Sequence, residues 1–242
     1  MRVAAPSAFL RGRPDAKAEA LTELLFGEDV TVSFSRADWA EVENLTDGYK
    51  GFVQAAALDQ TGPAPTHKVI ALRSLVYPEP NLKVPAIGAL SFLSRIRPGD
   101  ERNGFVELAK DVWIFGGHLG PIDWVERDHV KTALRFMEAP YLWGGRTAQG
   151  LDCSALVQLS LAAAGIAAPR DSGPQRIALG QRVLGDAQPR AGDLIFWPGH
   201  VAIMLQDGMV VHANAHHMAV TIEPLAAVTM RVGTAPEVRR LT

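Results

Sequence analysis

The chain of 242 residues contains one cysteine, Cys153, in Leu151-Asp-Cys-Ser-Ala-Leu156. Gly144, Gly145 and Gly150 make the preceding stretch a loop, and an apolar segment follows that ends at Gly165. Asp152 is a good helix N-cap, so Cys153 falls in the first helical turn. Unpaired backbone N–H groups and the positive dipole end favour a thiolate there. A lone cysteine is most often a small buried hydrophobe, but glycines before it and a cap beside it mark this one as an exposed nucleophile. A nucleophilic thiolate needs a base, and two histidines downstream, His200 and His212, can supply a base and a group that orients it.

The elements around these residues decide whether they can meet. Leu156, Leu159 and Ala163 recur at helical spacing after Cys153, with Gly165 as the stop. Residues 192–205 read as two strands joined by a Pro198-Gly199 turn, and Met209-Val-Val-His212-Ala-Asn214 as a third. A three-residue connection Gln206-Asp207-Gly208, with Gly208 left-handed, pairs Leu205 with Met209. His212 then lies opposite Ala202 and on the same face as His200, at a diagonal of roughly 7–8 Å. A two-residue loop would put the histidines on opposite faces. The three-residue loop is expected, and Asn214, opposite His200 in that register, is the alternative third group.

These motifs resemble the NlpC/P60 family of papain-like cysteine peptidases. The resemblance rests on Tyr141-Leu-Trp-Gly-Gly, Leu-Asp-Cys-Ser-Ala-Leu, Gly192-Asp-Leu-Ile-Phe-Trp and Gly199-His-Val, in that order over the last half of the chain. It implies Cys153 as nucleophile, His200 as base, His212 as orienting residue and Tyr141 as an active-site tyrosine. The backbone N–H of Cys153 would contribute to the oxyanion site. Neither a metal nor an organic cofactor is required. The cluster His212, His216 and His217 has no companion set of ligands, and no metal site is expected.

The composition is that of an ordinary folded protein, 48% hydrophobic and 21% charged, and long enough to bury a sizeable core. The net charge of −2 and the lack of a basic run exclude electrostatic support for nucleic acid or an anionic membrane as partner. One cysteine excludes an internal disulfide framework. Residues 1–10 lack a basic start followed by a long apolar core, and no stretch approaches a membrane span. Both point to the cytoplasm, or to the periplasm or exterior where a leader has been removed.

Residues 1–58 read as short strands separated by turns, including 3–10 and 30–34, with an Asp47-Gly48 hairpin. Residues 16–25 look helix-prone by composition but weakly periodic, and a loop is expected there. Residues 59–66, rich in Pro and Gly, form a linker, and 67–121 give a second strand-rich run that includes 90–96. Residues 122–242 form the last domain. Within it, Val130, Ala133, Leu134 and Met137 fall on one face of a helix that ends before Pro140. Phe26-Gly-Glu, Trp39-Ala-Glu-Val and Asp47-Gly-Tyr-Lys-Gly-Phe-Val resemble a bacterial SH3-like domain, and the second run does so more weakly. The expected fold class is α+β: two small SH3-like β-barrels followed by a papain-like NlpC/P60 catalytic domain.

The family resemblance also carries a substrate. It implies hydrolysis of γ-D-glutamyl–diamino acid bonds in peptidoglycan stem peptides, with an L-Ala-γ-D-Glu-diamino acid peptide as partner and recycling of released muropeptides as the setting. In relatives that carry SH3-like domains, an acidic residue and a tyrosine of the first such domain recognise the free amine; Glu28 and Tyr49 match them. Asp171 and Ser172 read as cap and turn residues, and the resemblance places them, with Asp152, Ser154 and Trp143, beside the substrate. A remodeller of intact cell wall is the enzymatic alternative. A wall- or peptide-binding module with an inert peptidase domain is the alternative of another class, against which the complete Cys/His/His set argues.

Overall fold

The computed structural model describes residues 1–36, 38–184 and 187–241. The chain divides into two compact units, Met1–Trp124 and Val125–Thr242.

The first unit is almost all β. Its first five-stranded antiparallel sheet has the order Ala20–Leu25, Ser7–Arg11, Lys50–Gln54, Trp39–Asn44, Val30–Arg36, and Arg2–Val3 pairs with Leu58–Asp59. Alternation explains the packing: Ala40 and Val42 point into a core with Leu10, Leu24 and Val53. The Asp47-Gly48 turn joins Trp39–Asn44 to Lys50–Gln54, with Gly48 at φ 74°. Residues 20–25, expected as loop, form a strand instead. Their Ala, Glu and Leu content is helix-prone, but Ala8 pairs with Leu24 and Phe9 with Glu23, and cross-strand packing overrides composition.

The second half of this unit has a five-stranded sheet, ordered Gly88–Ser91, Arg73–Tyr77, Val112–Phe115, Phe105–Ala109, Glu101–Arg102. A three-stranded sheet of Arg95–Ile96, His67–Val69 and Leu119–Pro121 accompanies it. The run 90–96 is therefore not one strand. Leu93 adopts φ 66° and redirects the chain from one sheet to the next, so Leu90 and Ile96 enter the same core from different strands. Phe26 packs on that core, and its carbonyl accepts from the Arg95 N–H at 2.9 Å.

Among its described residues, the second unit contains four helices and an antiparallel six-stranded sheet. The helices are α1 (His129–Leu134), α2 (Cys153–Ala163), α3 (Ser172–Ala178) and α4 (Leu225–Val232). The sheet order is Gln181–Arg182, Glu237–Arg240, Leu194–Trp197, His200–Met204, Met209–Asn214, Ala219–Pro224. Helix α2 is buried on nearly every side, as a helix apolar all round must be. It packs on α1 and on the strands that carry His200 and His212. Helix α1 ends at Leu134, earlier than the spacing suggests. Its anchors are Thr132, Ala133 and, just beyond it, Phe136, whereas Leu134 and Met137 are exposed. No helix among the described residues is long and apolar enough to cross a membrane.

Candidate active site

The loop before Cys153 is shaped by its glycines. Arg146–Thr147 pairs with Gly150–Leu151, and a Cβ on Gly145 would sit 2.3 Å from the Gly150 carbonyl oxygen, so only glycine fits. Asp152 then gathers the surrounding backbone. Its carboxylate caps α2 through Ala155 N–H at 2.9 Å and accepts from Gly144 N–H at 2.9 Å. It also takes two bonds from the buried Arg170, at 2.9 and 2.6 Å. The Ser154 hydroxyl donates to Asp152 at 3.0 Å and accepts from Arg170 at 2.8 Å. Gln175 of α3 donates to the Ser154 carbonyl at 2.9 Å. One buried ion pair thus ties the loop to the helix start, and Gln175 ties α3 to the backbone of the same turn.

Arg170 and Gln175 escaped the sequence reading. Arg170 left a signal: a guanidinium in the apolar stretch around Ala167, Ala168 and Pro169 can be buried only with an anionic partner.

Cys153 sits at the first position of α2, where the backbone N–H groups of Val201 and Ser154 face its sulfur. Val201 follows His200, so the helix start and the His200 strand meet at the sulfur. The expected resting thiolate is not what the surroundings favour. Burial, with the Asp152 carboxylate beside it, pushes the thiol up to about 12, against the weaker opposing pull of those N–H groups and Arg170. Capping the helix with an anion and enclosing the sulfur cancels the dipole's benefit.

The hairpin has the register that the three-residue loop dictates. Ile203 pairs with Val211, Met204 with Val210, and Leu205 N–H donates to the Met209 carbonyl at 2.8 Å; Gly208 has φ 72°. His200 and His212 consequently share a face, with Nε2 of His200 2.7 Å from Nδ1 of His212. Burial pushes His200 down to about 4, helped by His212 and Arg231 and opposed by Glu223. Burial also lowers His212, against the raising effect of Glu223. Burial thus favours the uncharged form of both the Cys153 thiol and the His200 imidazole, a pairing suited to proton transfer as the sulfur attacks.

Nε2 of His212 lies 2.8 Å from Glu223, which Arg231 grips with both nitrogens at 2.9 and 2.8 Å. Glu223 and Arg231 were not among the sequence candidates. Asn214, the alternative third group, donates to the Thr221 hydroxyl at 2.8 Å and accepts from His217 N–H at 2.9 Å. Its amide holds the turn before the next strand.

The Tyr141 hydroxyl is pushed up to about 12, chiefly by burial and then by Cys153 and Asp152. It is a neutral donor in the neighbourhood of the sulfur. Trp143 is exposed. Asp171 occupies the N-cap position of α3, but its side chain makes no capping bond, and Ser172 begins the helix. Glu28 and Tyr49 belong to the first unit. The Glu28 carboxylate accepts from Leu25 N–H at 2.9 Å and from the Asn44 amide at 3.4 Å; Tyr49 packs on the first core. Among the described residues, no group of three or more His, Cys, Asp or Glu is placed to hold a metal ion.

Comparison with known proteins follows the same division. Residues 138–234 match the NlpC/P60 family and residues 10–58 the bacterial dipeptidyl-peptidase Sh3 domain. The chain is similar to dipeptidyl-peptidase 6 of Lysinibacillus sphaericus, 28% identical over 250 residues that cover 92% of this chain and 90% of that protein. It is similar to gamma-D-glutamyl-L-lysine dipeptidyl-peptidase of Bacillus subtilis, 28% identical over 217 residues, 79% of this chain and 71% of that one. The crystal structure of an NlpC/P60 family protein from Bacillus cereus shares the fold with a TM-score of 0.83, at 22% identity, over 99% of this chain and 98% of that one.

Proposed function

Taking as premise that this chain belongs to the NlpC/P60 family of cysteine peptidases, we propose that it cleaves γ-D-glutamyl–diamino acid bonds in stem peptides bearing a free N-terminal L-alanine. Its substrate class is a peptidoglycan-derived peptide. The finer assignment is supported by the two dipeptidyl-peptidases that it resembles over most of their length, one of them specific in name for the γ-D-glutamyl-L-lysine bond. The role that follows is recycling of released muropeptides in the cytoplasm.

One observation carries the mechanism: the sulfur at the start of α2 faces the backbone of Val201, and the neighbouring His200 is hydrogen-bonded to His212. Cys153 attacks the scissile carbonyl while His200 accepts the thiol proton. The Cys153 N–H and the neutral Tyr141 hydroxyl stabilise the oxyanion, each such donor contributing about 2.7–4 kcal/mol. Collapse breaks the C–N bond, and His200 returns the proton to the leaving amine. Water then cleaves the thioester with His200 as base, which releases the acid and regenerates the thiol. Asp152 and Ser154 hold the loop and helix start in place, and Asp171, Ser172 and Trp143 border the peptide.

Incubation with L-Ala-γ-D-Glu-diaminopimelate, its lysine counterpart and intact peptidoglycan, with products read by mass spectrometry, tests this. Release of L-Ala-D-Glu from the free peptides, abolished in Cys153→Ala, is expected. Equal cleavage of the same bond in intact peptidoglycan, which would leave L-Ala-D-Glu on the glycan and free the amine of the diamino acid, would replace recycling with wall remodelling. Turnover by Cys153→Ala would remove this cysteine as nucleophile.

A further inference from the structure

Beyond the two histidines, the site continues into a carboxylate and a guanidinium on elements that the reaction itself does not use. Glu223 lies on the edge strand Ala219–Pro224, on the face that His212 occupies in the neighbouring strand, since Thr221 pairs with His212. Arg231 reaches it from α4. We propose that Glu223, clamped by Arg231, is a positioning residue that fixes the proton positions of His212 and, through it, of His200, so that His200 offers a bare Nδ1 to Cys153. This rests on reading Cys153, His200 and His212 as the catalytic set.

An ionised carboxylate only accepts, and Glu223 is ionised, held down to about 2 chiefly by its bonds from Arg231. In the 2.8 Å contact, Nε2 of His212 must therefore carry the proton. A neutral imidazole has one N–H, so Nδ1 of His212 is a lone pair and can only accept across the 2.7 Å contact. The donor there is Nε2–H of His200, which uses the only proton of that ring. Nδ1 of His200 is left as the base. The anion at the end sets the direction of the whole hydrogen-bond chain.

Arg231 gives the carboxylate its orientation, since it bonds both oxygens. The charged and titratable groups facing Glu223 are Arg231, His212 and, at 3.4 Å, Nδ1 of His217 from the preceding turn. His217 also meets the Asn214 oxygen at 3.1 Å, so it adds a second histidine to the anion without displacing His212. Arg231 can only donate to the carboxylate, so the acceptor that His212 meets on this side is the anion itself.

The first test needs no variant. Ring-nitrogen NMR of the full chain at neutral pH should show protons on Nε2 of both His200 and His212. A proton on Nδ1 of either ring would overturn the proposal. The second test is Glu223→Gln, whose amide can present oxygen or NH2 to His212 and so no longer fixes the direction. The expected result is a kcat loss of roughly 10–100-fold, the range for outer carboxylates that orient an imidazole, with little change in KM and mixed ring-nitrogen signals. Arg231→Met, which keeps the anion, should retain the wild-type proton positions with a smaller loss. Glu223→Gln with wild-type kcat and ring signals would overturn the positioning role alone, provided that Cys153→Ala is inactive. Activity in Cys153→Ala would overturn the nucleophile assignment and this inference with it.

Discussion

Nδ1 of His212 lies 2.7 Å from Nε2 of His200, while Asn214, two residues further along the same strand, spends its amide on Thr221 and the backbone of His217. Both residues had been candidates for the third catalytic position, and the hydrogen bonds separate them. His212→Ala is expected to lower kcat by roughly 10²–10⁴-fold, the range for losing control of a general base, with the fold intact by circular dichroism. Asn214→Ala should cost about 1 kcal/mol of stability through its lost hydrogen bond and keep kcat. Steady-state kinetics of the two variants side by side would show the reverse ranking if Asn214 were the orienting group.

The neutral resting pair sets a pH dependence. With His200 pushed down to about 4 and Cys153 up to about 12, the competent neutral form persists across the whole intervening range. The acid limb of kcat/KM should therefore fall near pH 4 rather than near the ordinary histidine value. Iodoacetamide should label free Cys153 slowly at neutral pH, with the rate rising as pH climbs. A flat, fast labelling rate from mildly acidic to neutral pH would indicate a thiolate–imidazolium pair instead. Stability follows from the same shift. Because the folded chain disfavours charged His200, the unfolded chain binds the extra proton between its ordinary value and about 4, so stability falls as pH drops through that window. The difference in thermal stability between wild type and His200→Gln should change with pH through that window and stay constant above it.

Arg170 is 1% exposed at its side chain and its partner Asp152 9%, so removing one charge strands the other. Arg170→Met should destabilise the chain by roughly 3–5 kcal/mol, read as denaturant midpoints. Arg170→Met combined with Asp152→Asn should recover part of that loss, because the remaining group is neutral. Ser154→Ala, which removes only a hydroxyl from the cluster, should cost less than either charge deletion. Equal losses in Ser154→Ala and Arg170→Met would show that the ion pair is not what holds the loop to the helix start.

The parts of this site that could be read from the sequence are those governed by local rules. A cap followed by helical spacing located Cys153, and loop length with strand alternation fixed His200 against His212, because a hairpin's register depends only on residues within it. Arg170 and Gln175 depend on contacts between elements 18 and 21 residues apart, which leave no periodic trace. Glu223 was nearly within reach: carrying the alternation across the next turn puts it on the face of His212, given the pairing of Thr221 with His212. The upward pull on the Cys153 thiol was hidden from the sequence for a different reason. A helix dipole can be inferred from spacing, whereas enclosure of the sulfur is known only once the chain is packed. The strand at residues 20–25 shows the same dependence, since its partners and not its composition decide its conformation.

The demand for a free amine is open to a test built on how Glu28 is held. Its carboxylate already accepts the Leu25 N–H and the Asn44 amide, and a glutamine oxygen can keep the Leu25 bond. Glu28→Gln therefore removes the charge and can keep that bond at the strand end, and a thermal melt reads what the buried substitution costs. If Glu28 pairs with the ammonium of the peptide, as proposed from the resemblance, the variant should raise KM for the L-alanyl peptide by roughly tenfold or more, since hydrogen bonds to charged groups contribute about 1.5–3 kcal/mol. Wild type should discriminate against the N-acetylated peptide, which lacks the cation, and Glu28→Gln should lose most of that discrimination. Tyr49→Phe, which deletes a single hydroxyl, should have a smaller effect in the same direction. Equal kcat/KM on free and acetylated peptides in the wild-type protein would rule out amine recognition altogether. Discrimination that survives in Glu28→Gln would assign it to another residue.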